Sequence, residues 1–233
     1  MHGLAVEFGS LLSRSRPVIA RRTKGPEVNC WAVVAINTRL RRKRRLRGVL
    51  DAADRDALTR RMLGSVLAAA DGARSIARVL IVSPDDEGLP QGYEILHDDG
   101  RGLSAAFELA RTRARAALAR ELVFLPADLP RLKAADVDAL VLAGRGARIA
   151  IAPDRRRTGT NGLYLPAALD FTCRFGVESR ARHEDEARRR GIEPAIVMRR
   201  GLAHDLDTPA DLRSLGPGIA SRAGTAGGAE RRA

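Results

Sequence analysis

The sequence predicts an α/β fold in which helices cover a mixed, mainly parallel β-sheet. Between residues 30 and 215, short β-like apolar runs alternate with helix-like runs. The first run, Trp31–Ile36, is apolar at every position, which is typical of a strand buried on both faces of its sheet. No internal repeat or linker is visible in this region, so a single Rossmann-like domain is the simplest interpretation.

The remaining elements follow from hydrophobic spacing and from the residues that end helices and strands. Helices are predicted at about 54–72, 102–120, 134–142 and 180–190, and from Pro209 onward. Further strands are predicted at 78–83, 93–97, 122–125, 148–152, 163–165 and 195–198.

The charge of the chain is concentrated near its beginning. The 233 residues include 41 Lys and Arg against 28 Asp and Glu, a formal net charge of +13. Twelve basic and two acidic residues lie within positions 1–50, so the rest of the chain is nearly balanced. Only Lys24, Lys43 and Lys133 are lysines, and an excess made almost wholly of arginine partly reflects coding bias. High overall charge is therefore weak evidence for nucleic-acid binding.

Composition also limits the class of protein. No apolar run is long enough to span a bilayer, and Cys30 and Cys173 are too few for a disulfide framework or a zinc cluster. Two reduced thiols and the absence of a signal-peptide pattern predict a cytoplasmic protein. We expect a flexible lead at 1–29, the folded domain at 30–215 and a disordered Gly- and Ala-rich tail at 216–233.

A cationic loop follows the first predicted strand. Seven of the nine residues at 39–47 are basic, and ligands of open α/β sheets bind beyond the carboxyl ends of strands. The loop has no glycine before Gly48, so any phosphate would be held by side chains rather than by a glycine-rich backbone. A solvated charge run or an RNA-contacting patch would explain the same residues.

Carboxylates follow two later segments. Asp128 lies just beyond the strand at 122–125, where an Asp suits Mg²⁺, although a turn or helix cap is an equal alternative. Asp205 and Asp207 have the spacing that places both side chains on one face of an extended segment, with Leu206 facing the core. Two carboxylates aimed together favour a bound cation. Thr208 is explained differently, as the N-cap of the last helix, with Asp211 as its acidic partner.

Two further segments have the chemistry of a ligand site. The residues at 158–161, Thr-Gly-Thr-Asn, supply hydroxyls, an amide and flexible backbone, although a plain turn would also account for them. The small-residue turn from Gly176 to Ser179 precedes a helix, where free N–H groups can bind an anion. His183 is a candidate site residue, but a histidine on the surface of a helix is the commoner case.

Taken in order, these motifs resemble one family. They are Trp31-Ala-Val-Val34, Lys43-Arg44-Arg45-Leu46, Gly102-Leu103, Pro126-Ala-Asp128-Leu-Pro130, Ile151-Ala-Pro153-Asp154, Thr158-Gly159-Thr160-Asn161, Phe175-Gly176 with Ser179 and His183, and Asp205-Leu-Asp207-Thr208-Pro209. Over about residues 30–215 the chain resembles the phospholactate and phosphoenolpyruvate guanylyltransferases of coenzyme F-420 biosynthesis.

The resemblance implies a fold and a reaction. It implies a Rossmann-like nucleotidyltransferase domain of the nucleotide-diphospho-sugar transferase type. The implied reaction is the Mg²⁺-dependent transfer of GMP from GTP to 3-phospho-D-glycerate, phosphoenolpyruvate or 2-phospho-L-lactate, with release of pyrophosphate. The product would pass to the next transferase of the deazaflavin pathway. The unusual loop after the first strand favours 3-phospho-D-glycerate.

The resemblance also assigns roles by position. Lys43, Arg45 and Asp128 would be catalytic, with Lys43, Arg45 and Gly102 binding the nucleotide. A divalent cation would be held by Asp128 and Asp207, with Asp205 as a further ligand, and the phospho-acid by Asn161, Gly176 and Ser179.

The sequence departs from the usual family pattern in four places. Ala35, Asn37, Ser104 and Arg157 stand where the family usually has Pro, Lys, Asn and Gly. Loss of the Lys at the end of the first strand means that neighbouring arginines would have to hold the phosphates. The alternatives are a sugar-phosphate or molybdopterin nucleotidyltransferase, which would usually have a Gly-rich loop, and an Arg-rich RNA-binding protein. Aromatic content of only 3% argues against the latter, because single-strand binding surfaces usually stack bases on aromatic rings.

Overall fold

The computed structural model describes residues 29–36 and 43–214, where seven strands form one β-sheet. The strands are β1 (Cys30–Ala35), β2 (Ile76–Ser83), β3 (Glu94–His97), β4 (Glu121–Pro126), β5 (Ala150–Pro153), β6 (Thr160–Pro166) and β7 (Ala195–Ile196). The helices are α1 (Ala52–Gly72), α2 (Leu103–Ala116), α3 (Ala134–Ala147), α4 (Ser179–Arg188), α5 (Arg200–Ala203) and α6 (Pro209–Ser214).

The order and direction of the strands decide which loops meet. The order is β3-β2-β1-β4-β6-β5-β7, and β6 runs antiparallel to both β4 and β5, while the other pairs are parallel. The mixed, mainly parallel sheet predicted from the sequence is therefore confirmed. Because β6 is reversed, its first residues lie at the same edge of the sheet as the carboxyl ends of β1 to β4.

Strand β1 is buried on both faces, as its continuous apolar sequence predicts. Ala32 and Val34 pack into the core beneath α1 and α3, while Trp31, Val33 and Ala35 pack into the core beneath α2. The sheet is thus covered by helices on both sides, and polar ligands can approach it only at its edges and strand ends.

Helix α2 is shorter than predicted. It ends at Ala116 rather than near residue 120, because Leu118 takes a left-handed conformation with φ of 61°. The N–H of Ala119 then bonds back to the carbonyl of Ala114. This closure is normally made with glycine, so the sequence contains no sign of it.

Other boundaries also differ from the expectations. Helix α3 extends five residues further than predicted, β7 has two residues instead of four, and the short helix α5 was not predicted. Strand β6 begins at Thr160, three residues before the strand predicted at 163–165, so Thr160 and Asn161 belong to a buried strand and the alternative of a plain turn at these two residues does not hold.

Parts of the predicted organisation lie outside the described residues. These are nearly all of the lead at 1–29, the tail at 216–233 and the beginning of the cationic loop, including Asn37. In the described part, no helix is both long and apolar enough to cross a membrane. Cys30 and Cys173 are buried free thiols, and the cytoplasmic location stays a prediction.

Candidate active site

A cavity of about 370 Å³ opens at the carboxyl edge of the sheet. Its floor is the ends of β1 and β4, where parallel strands of this type of fold present their ligand sites. Five of the predicted site residues line it, namely Lys43, Gly102, Asp128, Gly176 and Asp207.

Three charged side chains meet in this cavity, and we call Lys43, Asp128 and Asp207 the charged cluster. Lys43 Nζ donates to Asp128 Oδ2 at 2.8 Å and to Asp207 Oδ1 at 2.7 Å. Burial alone would lower the pKa of Lys43, but the two carboxylates hold it above its usual range. The ammonium is therefore permanently charged, and the cluster has a formal charge of −1.

Backbone contacts hold the two aspartates together. The N–H of Leu206, the residue before Asp207, donates to the carbonyl of Asp128 at 3.1 Å. Leu206 is fully buried, as the alternating Asp-Leu-Asp pattern predicts. Burying this leucine turns the side chain of Asp207 toward the cavity, and Asp205 lies close enough to interact with it.

A small apolar cluster fixes Lys43 relative to these aspartates. Leu46, Leu58, Met62 and Leu206 pack together, joining the turn after Lys43 to helix α1 and to the Asp205–Asp207 segment. Leu46 also donates from its backbone N–H to the carbonyl of Lys43 at 2.8 Å.

Lys43 itself has a strained backbone. Its φ of 43° lies in the left-handed region, which costs a side-chain-bearing residue about 1–2 kcal/mol. Strain of this size persists where surrounding contacts enforce it, and it occurs often at ligand sites.

The helix after Asp207 begins as the sequence predicts. Asp211 Oδ2 accepts from the N–H of Thr208 at 2.8 Å, and Thr208 Oγ1 accepts from the N–H of Asp211 at 3.3 Å. The N–H of Asp207 donates to the same Asp211 carboxylate. This capping box holds the backbone of Asp207 and leaves its side chain available to the cavity.

Asp205 joins the site through Asn161. Asn161 Nδ2 donates to Asp205 Oδ1 at 3.3 Å. Burial and the nearby Asp128 and Asp207 raise the pKa of Asp205, while the bond from Asn161 opposes this rise. The two neighbouring carboxylates therefore destabilise the charged form of Asp205.

Two glycines shape the ends of the cavity. Gly102 precedes α2 with φ of 99°, and Gly176 has φ of 117°, conformations that side-chain-bearing residues rarely adopt. The loop containing Gly176 is tied to α2, because Ser104 Oγ accepts from the N–H of Phe175 at 2.9 Å. Ser104 therefore has a definite structural contact at the position where the related family usually has Asn.

The remaining predicted site residues do not line the main cavity. Arg45 lies in the turn at Arg44–Leu46 and is exposed, Asn161 is buried behind Asp205, and Ser179 is the buried first residue of α4. The N–H of Ser179 donates to the carbonyl of Gly176, so Ser179 is attached to the glycine loop.

His183 is fully buried, so the expectation of a surface-helix histidine is wrong. Its Nε2 accepts from the N–H of Arg174 at 2.9 Å, which places the ring proton on Nδ1, 3.0 Å from Thr160 Oγ1. Burial lowers the pKa of His183 to about 4, with Glu186 opposing the shift. We call His183, Thr160 and the Arg174 backbone the histidine cluster; it joins α4, β6 and the loop leading to Gly176.

Thr59 and Met62 also line the cavity, and sequence reasoning did not identify them as site residues. Phe175 lines it too and was recognised only as part of the Phe175-Gly176 motif. Thr59 and Met62 belong to the same helical stripe as the buried Leu58, and that periodicity indicates packing rather than a site.

Solved structures share this architecture. The chain resembles a nucleotidyl transferase from Methanothermobacter thermautotrophicus with a TM-score of 0.58 and 16% identity, covering 83% of this chain and 98% of that one. It also resembles a CMP:2-keto-3-deoxy-manno-octonic acid synthetase complexed with CTP, with a TM-score of 0.56 and 14% identity over 83% and 99% of the chains. The fold is therefore that of the nucleotidyltransferases of the nucleotide-diphospho-sugar transferase type.

The sequence defines the family more narrowly. Residues 31–216 match the family described as guanylyl transferase CofC like, and the chain belongs to that family. A phosphoenolpyruvate guanylyltransferase from Rubrobacter xylanophilus is 43% identical over 195 residues, which are 81% of this chain and 94% of the relative. A 3-phospho-D-glycerate guanylyltransferase from Phenylobacterium zucineum is 37% identical over 82% and 91% of the two chains. A 2-phospho-L-lactate guanylyltransferase from Methanothermobacter thermautotrophicus is 33% identical over 78% and 81%. The chain is thus a nucleotidyltransferase of this family, and the resemblance found in its motifs is confirmed.

Proposed function

We propose that this enzyme transfers GMP from GTP to the phosphate of a three-carbon acid in coenzyme F-420 biosynthesis. The candidate acids are phosphoenolpyruvate, 3-phospho-D-glycerate and 2-phospho-L-lactate, the substrates named for the relatives. The observation that carries the proposal is the charged cluster in the cavity, because it combines a buried permanent cation with two carboxylates at the ligand-binding edge of the sheet.

The reaction needs orientation more than proton transfer. A phosphate oxygen of the acid attacks the α-phosphorus of GTP, a new P–O bond forms, and pyrophosphate leaves with the electron pair of the α–β bridging bond. The attacking oxygen is already an anion, so no general base is required. The protein contributes alignment and neutralisation of phosphate charge.

The chain's own residues can divide these tasks. Lys43 would bind the triphosphate with Arg45 from the exposed rim, and the Gly102 backbone would contact the nucleotide. The loop at Gly176, held by Ser179, and Asn161 beyond Asp205 would contact the phospho-acid. The reversed direction of β6 supports this placement, since it brings Asn161 to the edge where β4 presents Asp128.

The same site suits Mg²⁺. Asp128 and Asp207 converge on one position, where Lys43 Nζ now lies, and Asp205 is adjacent. Among the described residues no group of three or more His, Cys, Asp or Glu side chains could hold a metal ion. Two carboxylates fit Mg²⁺, which takes few protein ligands and leaves its other positions to phosphate oxygens and water. When bound, the cation would neutralise phosphate charge.

The proposal is tested by assaying every combination of nucleotide and acid. Purified protein with Mg²⁺ is incubated with each of GTP, ATP, CTP and UTP and each of the three acids, and pyrophosphate release is followed. We expect release with GTP and at least one of the acids, and kcat/KM ranks the acids. No pyrophosphate with any pair, together with salt-sensitive RNA binding, would overturn the proposal. Asp128→Asn serves as the inactive control.

A further inference from the structure

A small recess adjoins the main cavity near the end of β3. Its volume is about 20 Å³, and its walls are mainly apolar. Pro84, Asp98 and Gly100 line the recess, together with residues such as Gly102 and Leu103 that also line the main cavity. The recess is too small for a whole ligand, so it suits one edge of a flat group whose body occupies the main cavity.

Among the described residues, Asp98 is the only ionisable one that lines this recess. Its backbone N–H donates to the carbonyl of Ser83 at 3.2 Å, which fixes it at the end of β2 and β3. The carboxylate accepts from the backbone of Gly100, but its Oδ1 is buried and has no hydrogen-bond partner among the described residues. Burial raises the pKa of Asp98. A buried carboxylate oxygen without a donor is costly, and a ligand that supplies donors would remove that cost.

The strand order indicates which part of the nucleotide comes here. The charged cluster lies at the ends of β1 and β4, and the sheet order is β3-β2-β1-β4-β6. If phosphates occupy the charged cluster and the acid lies on the β6 side, near Asn161 and Gly176, the nucleoside must extend toward β2 and β3. Asp98 stands at that end.

We propose that Asp98 selects the base by accepting hydrogen bonds from the N1–H and 2-amino group of guanine. This inference rests on the proposed function for its nucleotide. Guanine presents two adjacent donors on this edge. Adenine presents an unprotonated N1 and no 2-amino group there, so the carboxylate rejects it. Apolar neighbours such as Pro84 and Leu103 exclude water and increase the selectivity.

Equilibrium binding of nucleotides without acid tests this role. Binding of GTP, ITP, XTP and ATP is measured by calorimetry for the wild type, Asp98→Asn and Asp99→Asn. Asp99 is the matched control, because it is the neighbouring aspartate, is largely exposed and pairs with Arg101 outside the recess. ITP lacks the 2-amino group, and XTP replaces it with a carbonyl.

The wild type should bind GTP about 10- to 100-fold more tightly than ITP, the range of a hydrogen bond to a charged group. Asp98→Asn should bind GTP about 10- to 100-fold more weakly than the wild type does, the factor of one hydrogen bond to a charged group. It should bind XTP more tightly, because its amide can accept from N1–H and donate to the 2-carbonyl. Asp99→Asn should behave as the wild type.

Three outcomes would overturn the inference: GTP binding by Asp98→Asn equal to that of the wild type, equal loss of GTP and XTP binding, or a wild type that does not distinguish GTP from ITP. The comparison of GTP with ITP uses only the wild type, so it tests the inference even if Asp98→Asn fails to fold. A wild type that binds no GTP at all would instead overturn the proposed function.

Discussion

The charged cluster and the histidine cluster are both groups of polar residues, but their charges and hydrogen bonds are balanced in different ways. In the charged cluster, the ammonium of Lys43 forms ion pairs with two carboxylates, and the side chain of Asp207 is 46% exposed. In the histidine cluster, both ring nitrogens of a fully buried, neutral His183 have partners. The first group retains unbalanced charge that faces a cavity, and the second retains none.

This difference indicates that the charged cluster serves ligand binding and that the histidine cluster serves the stability of the fold. Groups whose charges are incompletely balanced can gain from a ligand, whereas groups whose hydrogen bonds are complete can only lose by changing partners. We therefore expect changes in the charged cluster to reduce activity at nearly constant stability, and changes in the histidine cluster to reduce stability at nearly constant activity.

The largest effect is expected from Asp128→Ala. It removes a carboxylate that the proposal assigns to Mg²⁺, and kcat should fall about 1,000-fold, the scale of losing a major electrostatic contact in a transition state. The free energy of unfolding should change by less than about 1 kcal/mol, because Asp128 is partly exposed and Lys43 keeps its ion pair with Asp207. Pyrophosphate release at saturating Mg²⁺ and urea unfolding measure the two quantities. Wild-type turnover in this variant would remove Asp128 from the site.

Lys43→Ala should lower kcat/KM for GTP by about 100-fold, since the proposal gives Lys43 the triphosphate. Lys133→Ala is the matched control, because it removes an exposed lysine that does not line the main cavity. Initial rates across GTP concentrations distinguish a change in KM from a change in kcat. If the two variants had the same rate profile, Lys43 would have no role in the reaction.

His183→Ala should reduce stability and leave activity nearly unchanged. Loss of a buried ring and of two hydrogen bonds should destabilise the protein by about 3 kcal/mol, while kcat of the folded fraction stays within about threefold of the wild type. The midpoint of urea unfolding and the turnover of the folded fraction are the measurements. Loss of turnover without loss of stability would place His183 in the chemistry instead.

A smaller effect is expected from pH. The pKa of His183 is lowered to about 4 in the folded protein, so protonation favours the unfolded chain. Its contribution to stability is complete above about pH 6.5, the ordinary pKa of histidine, and is lost as the pH falls toward 4.

Urea unfolding of the wild type and His183→Ala between pH 7 and pH 4 measures this contribution. The stability difference between the two should shrink as the pH decreases. A constant difference across this range would show that His183 keeps an ordinary pKa and is not buried as described.

Local patterns predicted much of the fold and part of the site. The alternation at Asp205–Asp207 and the capping box at Thr208 are local features, and both are present in the structure. The apolar sequence of β1 likewise predicted its burial on both faces.

What the sequence could not predict depends on contacts between distant residues. Burial of His183 depends on Thr160, which is distant in sequence and begins a strand that was predicted to start only at residue 163. The end of α2 at Leu118 uses a conformation typical of glycine. The unpaired oxygen of Asp98 is a property of the folded recess, and no local pattern indicates it.

The central claim is that Lys43 Nζ lies at the position where the charged cluster holds a cation during the reaction. The most direct test is Mn²⁺ binding without nucleotide, measured by electron paramagnetic resonance on the wild type and Lys43→Ala. Removing the ammonium frees Asp128 and Asp207, so the variant should bind Mn²⁺ about tenfold more tightly or better, as expected when a competing charge is lost from the site. Equal or weaker binding by Lys43→Ala would contradict the claim.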